Sequence, residues 1–325
     1  MARIPTARPW AAITRPLLSE WYVDPSADRV VVGLTRITSA ARAAAREAFG
    51  GTVVLTVVPR ATLAVRTLAA DRIVRLPTGT ATPDSSGGTR RNDHSPFYGG
   101  DEILSYFKTG PNKYNVVQCT SSFDAYDHLR KWNVMVSDGH CADGMVFARW
   151  YSGYISGHTF YLGSLEGVID NERHENKSSD VLTITLRKKT ATYSPHVFVG
   201  SATSSFAYSL AGSYAFSRGE KICTDGVDSG SQICGGSITN TNMCVVFSDD
   251  GQTVQTCHLA EATYKRPFCV PGDSGGPVYN DALTMIRKVY ALGTIEGYTR
   301  GHDNCFINEI GPALSVVKTT LVTTG

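Results

Sequence analysis

The sequence predicts a mainly β protein preceded by a small α+β module, and three observations carry that prediction. From about Phe97 onward, short apolar runs alternate with clusters of Gly, Ser and Asp, the pattern of an all-β sandwich or barrel. All eight cysteines lie between Cys119 and Cys305, which marks that stretch as a disulfide-bonded domain of an oxidising compartment. Ahead of them, two β-branched runs flank an alanine-rich segment with no cysteine at all.

The chain divides into four parts. Residues 1–17 contain Pro5, Pro9 and Pro16 and lack the apolar core of about 7–15 residues that an export signal requires; they form a leader of unassigned role. Residues 18–76 hold the module. Arg29 to Leu34 is a strand, Thr38 or Ser39 caps a helix that runs to Phe49 and stops at Gly50, and Thr52 to Val58 is a second strand. Residues 77–96, with Ser85-Ser86-Gly87-Gly88 and Arg90-Arg91, have the composition of a flexible linker, where proteases cut. Residues 97–325 are strand-dominated, for example Asn133 to Val136, Met145 to Ala148, Val181 to Leu186 and Lys288 to Ile295. One late helix is expected over Ile310 to Leu321, where Ile310, Leu314, Val317 and Leu321 share a face.

Charge narrows the partners. With 31 basic and 29 acidic residues the net charge is +2, which gives no reason to expect nucleic acid or an anionic membrane. No apolar run is long enough to span a bilayer.

One disulfide follows from hairpin geometry. Asp250-Gly251 is a type I′ turn signal between two strand-like runs. Counting outward from it, Cys244 faces Cys257 on a non-hydrogen-bonded pair, the closer kind, which suits a cross-strand bridge.

The chemistry centres on Gly272-Asp273-Ser274-Gly275-Gly276-Pro277. Its glycines allow φ > 0 and close backbone approach, and the amides of Gly272 and Ser274 are placed to converge as an oxyanion hole. A serine nucleophile needs a base. His140 is the best of the eight histidines, because Cys141 follows it and a bridge there would anchor the backbone that aims it. Asp180, at the mouth of the apolar run Val181 to Leu186, is suited to orient the imidazole; Asp170 is its rival.

These motifs resemble those of the chymotrypsin-like serine proteases. Gly139-His140-Cys141, Asp180 before an apolar strand and Gly272 to Pro277 occur in the order His, Asp, Ser. Cys269-Val270-Pro271-Gly272 and the span Cys223 to Cys234 are similar to the bacterial branch that includes streptogrisins and α-lytic protease. The resemblance covers about 225 residues. It implies two six-stranded antiparallel β-barrels, at about 97–205 and 206–325, with the active site between them. It also implies the bridges Cys119–Cys141, Cys223–Cys234 and Cys269–Cys305, leaving Cys244–Cys257 as the fourth. The implied activity is that of a secreted, monomeric serine endopeptidase that needs no metal or cofactor and acts on protein or peptide substrates. By the same resemblance, residues 18–76 are a pro-segment acting as an intramolecular inhibitor, with maturation expected in the linker near Arg91 to Gly99.

The sequence also departs from that family. Ser137-Asp138 stands where Thr-Ala is usual, placing a carboxylate near His140 that would favour a charged imidazole. Ala291 to Tyr298 aligns with the cleft-lining strand, but Glu296 replaces the serine that supports the catalytic aspartate, and Tyr298 replaces a glycine that leaves room. A second carboxylate beside Asp180 would raise the pKa of one of the pair; alternatively, Glu296 attracts a basic substrate side chain. Phe268, Thr294, Glu296, Gly297 and Tyr298 are the expected pocket residues. Two other readings stand beside the protease: a catalytically impaired relative that binds a peptide or surface partner, and an esterase of the α/β-hydrolase type. The latter requires the order Ser, acid, His, with only 51 residues left after Ser274.

Overall fold

A computed structural model describes residues 4–7, 9–76, 88–142, 148–173, 179–186, 191–230, 232–249, 252–280, 286–299 and 303–324. The N-terminal module comprises α1 (Trp10–Thr14), β1 (Leu18–Asp24), β2 (Arg29–Leu34), α2 (Ser39–Phe49) and β3 (Val53–Val57). The capping signals act as expected: the Thr38 hydroxyl accepts from Ala41 N at 3.0 Å, and Gly50 ends the helix at φ +62°. Strands β2 and β3 pair in parallel, Val30 opposite Val53, as a strand–helix–strand unit requires. Residues 4–14 are not a free leader. Trp10 is fully buried, its indole N–H donates to Ile4 O at 2.6 Å, and its ring meets Phe49 edge-on, so this stretch closes the module's core.

Three short extended pieces follow, β4 (Ala61–Leu63), β5 (Arg66–Ala70) and β6 (Arg72–Arg75). After residue 88 comes the edge strand β7 (Phe97–Gly99). The first barrel is built from β8 (Glu102–Gly110), β9 (Lys113–Thr120), β10 (Asp124–Asp127), β11 (Trp132–Ser137), β12 (Arg149–Ser156), β13 (Thr159–Arg173) and β14 (Val181–Thr185). Its pairings run β9–β8–β12–β13–β14–β11–β10, and β10 continues β9 through a bend where Ser122 N donates to Val136 O. Counting β9 and β10 as one bent strand, the ring has six.

Strands β15 (Tyr193–Phe198) and β16 (Ala207–Ser213) lead into the second barrel, β17 (Lys221–Thr224), β18 (Ile233–Asp249), β19 (Gln252–Thr263), β20 (Pro277–Asn280), β21 (Lys288–Tyr298) and β22 (Asn304–Glu309). These six close on themselves in the order β17–β18–β19–β22–β21–β20–β17. A closed barrel leaves no unpaired edge around the core. The chain ends in α3 (Ile310–Val317) and β23 (Thr319–Leu321).

That ending is shorter in helix than the periodicity suggests. Lys318 turns left-handed at φ 58°, and Leu321 pairs with Ala125 of the first barrel; β-branched Thr319 and Thr320 favour that strand. Of the expected strand Met145 to Ala148, residues 145–147 lie outside the described residues, and the strand proper begins at Arg149.

The four bridges join Cys119 to Cys141, Cys223 to Cys234, Cys244 to Cys257 and Cys269 to Cys305. Asp249 pairs with Gln252 and Cys244 with Cys257 at a Cα separation of 4.0 Å, the register counted from the turn signal. This hairpin is also the platform for the module, because β1 pairs with β18 at Trp21–Cys244 and extends the barrel sheet to β2 and β3.

The later part of the expected linker is built into the fold. Arg90 is completely buried and bonds Gly100 O, Gly200 O and Asp225 O at 2.8–2.9 Å, with an ion pair to Asp225 at 2.6 Å. Asp93 accepts from the N–H groups of His94 and Tyr98, so composition alone misjudges residues 88–96.

Candidate active site

Ser274 and His140 come from different barrels. His140 sits on a short 3₁₀ turn, Gly139–Ala142, after β11, and the Cys119–Cys141 bridge ties that turn to β9. Ser274 follows Gly272, whose φ of +103° is open to glycine and strained for other residues. Gly275 allows the barrels to close on each other, since a Cβ there would lie 2.0 Å from Ser137 Oγ and 2.5 Å from Thr120 O. Thr120 N donates across the junction to Ser274 O at 2.8 Å.

The three side chains form one hydrogen-bonded series. Ser274 Oγ lies 2.6 Å from His140 Nε2, the distance of an O–H donating to the ring nitrogen. His140 Nδ1 donates to Asp180 Oδ2, and the backbone N–H of His140 donates to Asp180 Oδ1 at 3.0 Å. Asp180 is thereby gripped twice by one residue, and Asn308 Nδ2 holds its carbonyl from the second barrel. The rival Asp170 lies on β13, and its side chain is outside the described residues.

Asp138 and Glu296 surround this series. Asp138, His140, Asp180 and Glu296 are all buried, with ligand-type atoms within 4.8 Å of one another. This is the one such metal-competent spacing among the described residues, and its groups bond to each other and to Thr256, Thr294 and Gly275. Burial, followed by the charges of Asp180 and Asp138, pushes Glu296 well above the usual carboxyl range. Glu296 accepts from the Thr256 hydroxyl at 2.9 Å and lies within 4.8 Å of Asp180. Its carboxyl thus lies beside Asp180 in the buried group.

Asp138 is close to His140, as expected, but its effect differs. Burial first, and Asp180 second, raise it to about 8, so its environment favours the neutral carboxyl and opposes the charge that would stabilise an imidazolium. Desolvation outweighs proximity here.

The second barrel supplies a pair of converging backbone amides. Gly272 N and Ser274 N both donate to a single carbonyl oxygen, at 2.5 and 3.4 Å, and that oxygen belongs to Ala64. The loop around these amides is fixed by Asp273, whose buried side chain accepts from the N–H groups of Asp228, Ser229 and Val270. Phe268 is buried in the apolar cluster around Ala64, and Gly297 and Tyr298 pair with Leu63 and Thr62. Thr294 is not a pocket wall, because its hydroxyl donates to Asp138. Among the groups sequence reading missed, Asp228, Thr256 and Asn308 have no local signature, while Asp273 sits inside the Gly272 to Pro277 motif without its role being read. Ala64 has one only in hindsight, in the extended Ala61 to Arg66 stretch.

Two antiparallel six-stranded barrels, with a Ser–His–Asp series at their junction and paired amides aimed at a carbonyl, decide the architecture. The fold is chymotrypsin-like. No protein-family model matches the sequence, and no curated protein matches it. Among solved structures it is similar to Thermobifida fusca protease A, at 21% identity over 70% of this chain and 98% of that one, with a TM-score of 0.49. Nocardiopsis protease is similar at 19% identity over the same shares, TM-score 0.45, and Cellulomonas bogoriensis chymotrypsin at 17%, again over 70% and 98%, TM-score 0.45. The chymotrypsin-like assignment of this chain rests on its own strand pairing and site.

Proposed function

We propose that the chain is a serine endopeptidase carrying its inhibitor in its own N-terminal segment. The observation that carries this reading is the arrangement of Ser274 Oγ on His140 Nε2, next to two amides that already bind a peptide carbonyl. In this mechanism Ser274 Oγ attacks the carbonyl carbon of a bound peptide while His140 takes its proton. Asp180 keeps Nδ1 protonated and stabilises the imidazolium. The tetrahedral oxyanion takes the place held by Ala64 O, between Gly272 N and Ser274 N. His140 then protonates the leaving amine, and water releases the acyl group by the reverse sequence.

Self-inhibition is supported by burial. Ser274 is fully buried and His140 is 4% exposed, and Ala64 O lies on the Ser274 amide. Release of residues 1–64 would open the cleft. The four disulfides suit a secreted enzyme. The departures that motivate a binding-only role leave Ser274, His140 and Asp180 bonded in series, which favours the enzyme.

Labelling tests the reading. Processed protein is expected to take up a fluorescent organophosphonate at Ser274 and to hydrolyse a general protein substrate, with Ser274→Ala lowering turnover on the order of a millionfold. Processed, folded protein that neither labels nor hydrolyses would sink the enzymatic account.

A further inference from the structure

We propose that the Ala64–Val65 bond is this enzyme's first substrate, cut within its own chain, and that residues 61–66 display what the cleft accepts: a small apolar residue before the bond and arginine two places after it. The inference rests on the endopeptidase reading and names the bond and the recognition.

The segment enters as a strand. Ala61 and Thr62 pair in parallel with Phe247 and Ser248, while Thr62 and Leu63 pair antiparallel with Tyr298 and Gly297. Gly297 permits this approach, because a Cβ there would stand 2.4 Å from Thr62 O. Ala64 N then donates to Glu296 O at 3.0 Å, and Ala64 O enters the amide pair of Gly272 and Ser274. Beyond the bond, Arg66 to Ala70 pairs antiparallel with β9, Arg66 opposite Gln118. The chain is thus clamped by sheet hydrogen bonds on both sides of one peptide. The acyl side lies on the barrel that supplies the amides, and the amine side on the barrel that carries His140. Such two-sided alignment is the positioning that makes an intramolecular attack fast.

The chemistry balances with water alone. Ser274 Oγ bonds to the Ala64 carbonyl carbon, its proton moves to His140, the Ala64–Val65 C–N bond breaks, and the Val65 amine takes that proton. Water then cleaves the ester, leaving an Ala64 carboxylate and a free Ser274. The carboxylate remains opposite the same amides, and β1 still pairs with β18, so the cut segment stays as a bound product until it is removed.

Two subsites follow. Ala64 is fully buried and belongs to the apolar cluster of Phe268, Cys269, Leu292 and Ile295. With the Ala64 methyl enclosed in that cluster, a larger side chain there would overpack it. Arg66 reaches Asp228 at 2.5 Å, and Asp228 is fixed in turn by Gln118 Nε2 at 3.0 Å and by its own N–H on Asp273. A carboxylate braced by Gln118, on a backbone anchored to Asp273, is a built receptor for a guanidinium.

The test uses the full chain. Intact mass and N-terminal sequencing are expected to show a new terminus at Val65, formed at a rate independent of protein concentration and absent in Ser274→Ala. Ala64→Phe is expected to slow that cut at least tenfold. Processed enzyme should split a synthetic Thr62–Thr67 peptide between Ala64 and Val65, with kcat/KM about tenfold above the same peptide carrying Arg66→Ala. In Asp228→Ala that ratio should fall toward one, a readout a folding defect does not mimic. A phosphonate-reactive enzyme whose terminus forms within residues 77–99, or whose peptide ratio is unchanged in Asp228→Ala, overturns this assignment and leaves the endopeptidase reading standing. An unreactive, uncut protein overturns both.

Discussion

Residues 61–66 and residues 88–99 both precede the barrels, and they exchange the roles that composition gives them. The second stretch, with its arginine pair and neighbouring Gly, Ser and Pro, reads as the natural place to cut, yet it is pinned by a buried guanidinium at Arg90. The first is an ordinary run of small and apolar residues, yet it lies across the nucleophile with its carbonyl in the amide pair. The difference teaches that susceptibility to a protease is a matter of backbone alignment with the catalytic groups. Flexible composition helps only where tertiary contacts leave the chain free to reach them.

The largest way to break this contrast is Arg90→Ala. It leaves Asp225 buried without its partner, a loss of about 3–5 kcal/mol by analogy with other buried pairs. The 88–99 stretch should then become sensitive to added trypsin in limited proteolysis. Arg66→Ala removes an ion pair whose arginine is 44% exposed, so its stability cost should stay below about 1 kcal/mol. Equal costs for the two would erase the distinction drawn here.

A smaller effect is expected from removing the platform bridge. Cys244→Ser with Cys257→Ser opens a loop of sequence separation 13 and should cost about 2–4 kcal/mol in thermal unfolding. Because β1 docks at Cys244, amides of residues 18–24 should exchange faster with solvent in this variant. An unchanged exchange pattern there would mean that the module is held by its other contacts alone.

The smallest and most graded test is pH. Burial raises Asp138 to about 8 and Glu20, Asp124 and Asp273 to about 7. The native state therefore keeps protons that the unfolded chain releases above about pH 4, and stability falls as pH rises through 7 and 8. Tm should be higher at pH 5 than at pH 8.5, with part of that slope lost in Asp138→Asn, which mimics the protonated form. A Tm that rises over this interval would show these carboxyls to be ionised in the fold.

Much of the site was legible because its chemistry is local. The glycines around Ser274, the Cys141 beside His140 and the turn at Asp250-Gly251 each encode a backbone requirement within a few residues, and each found its expected partner. Glu296 was legible as a neighbour of Asp180 only through the alignment of Ala291 to Tyr298 with the resembling family. Its protonation was only half legible, because the outcome depends on how completely both carboxyls lose water. For Asp138 the same desolvation reversed the electrostatic expectation.

By itself, then, the sequence determined the strand-rich class and the cysteine hairpin and singled out Ser274, His140 and Asp180, because periodicity, turn chemistry and motif spacing are properties of neighbouring residues. Only the tertiary structure decided which peptide fills the cleft, which arginine is an anchor and which carboxyls hold protons. Those outcomes depend on burial and on hydrogen bonds between residues more than a hundred positions apart, such as Arg90 with Asp225 and Ala64 with Gly272, and no local pattern records them.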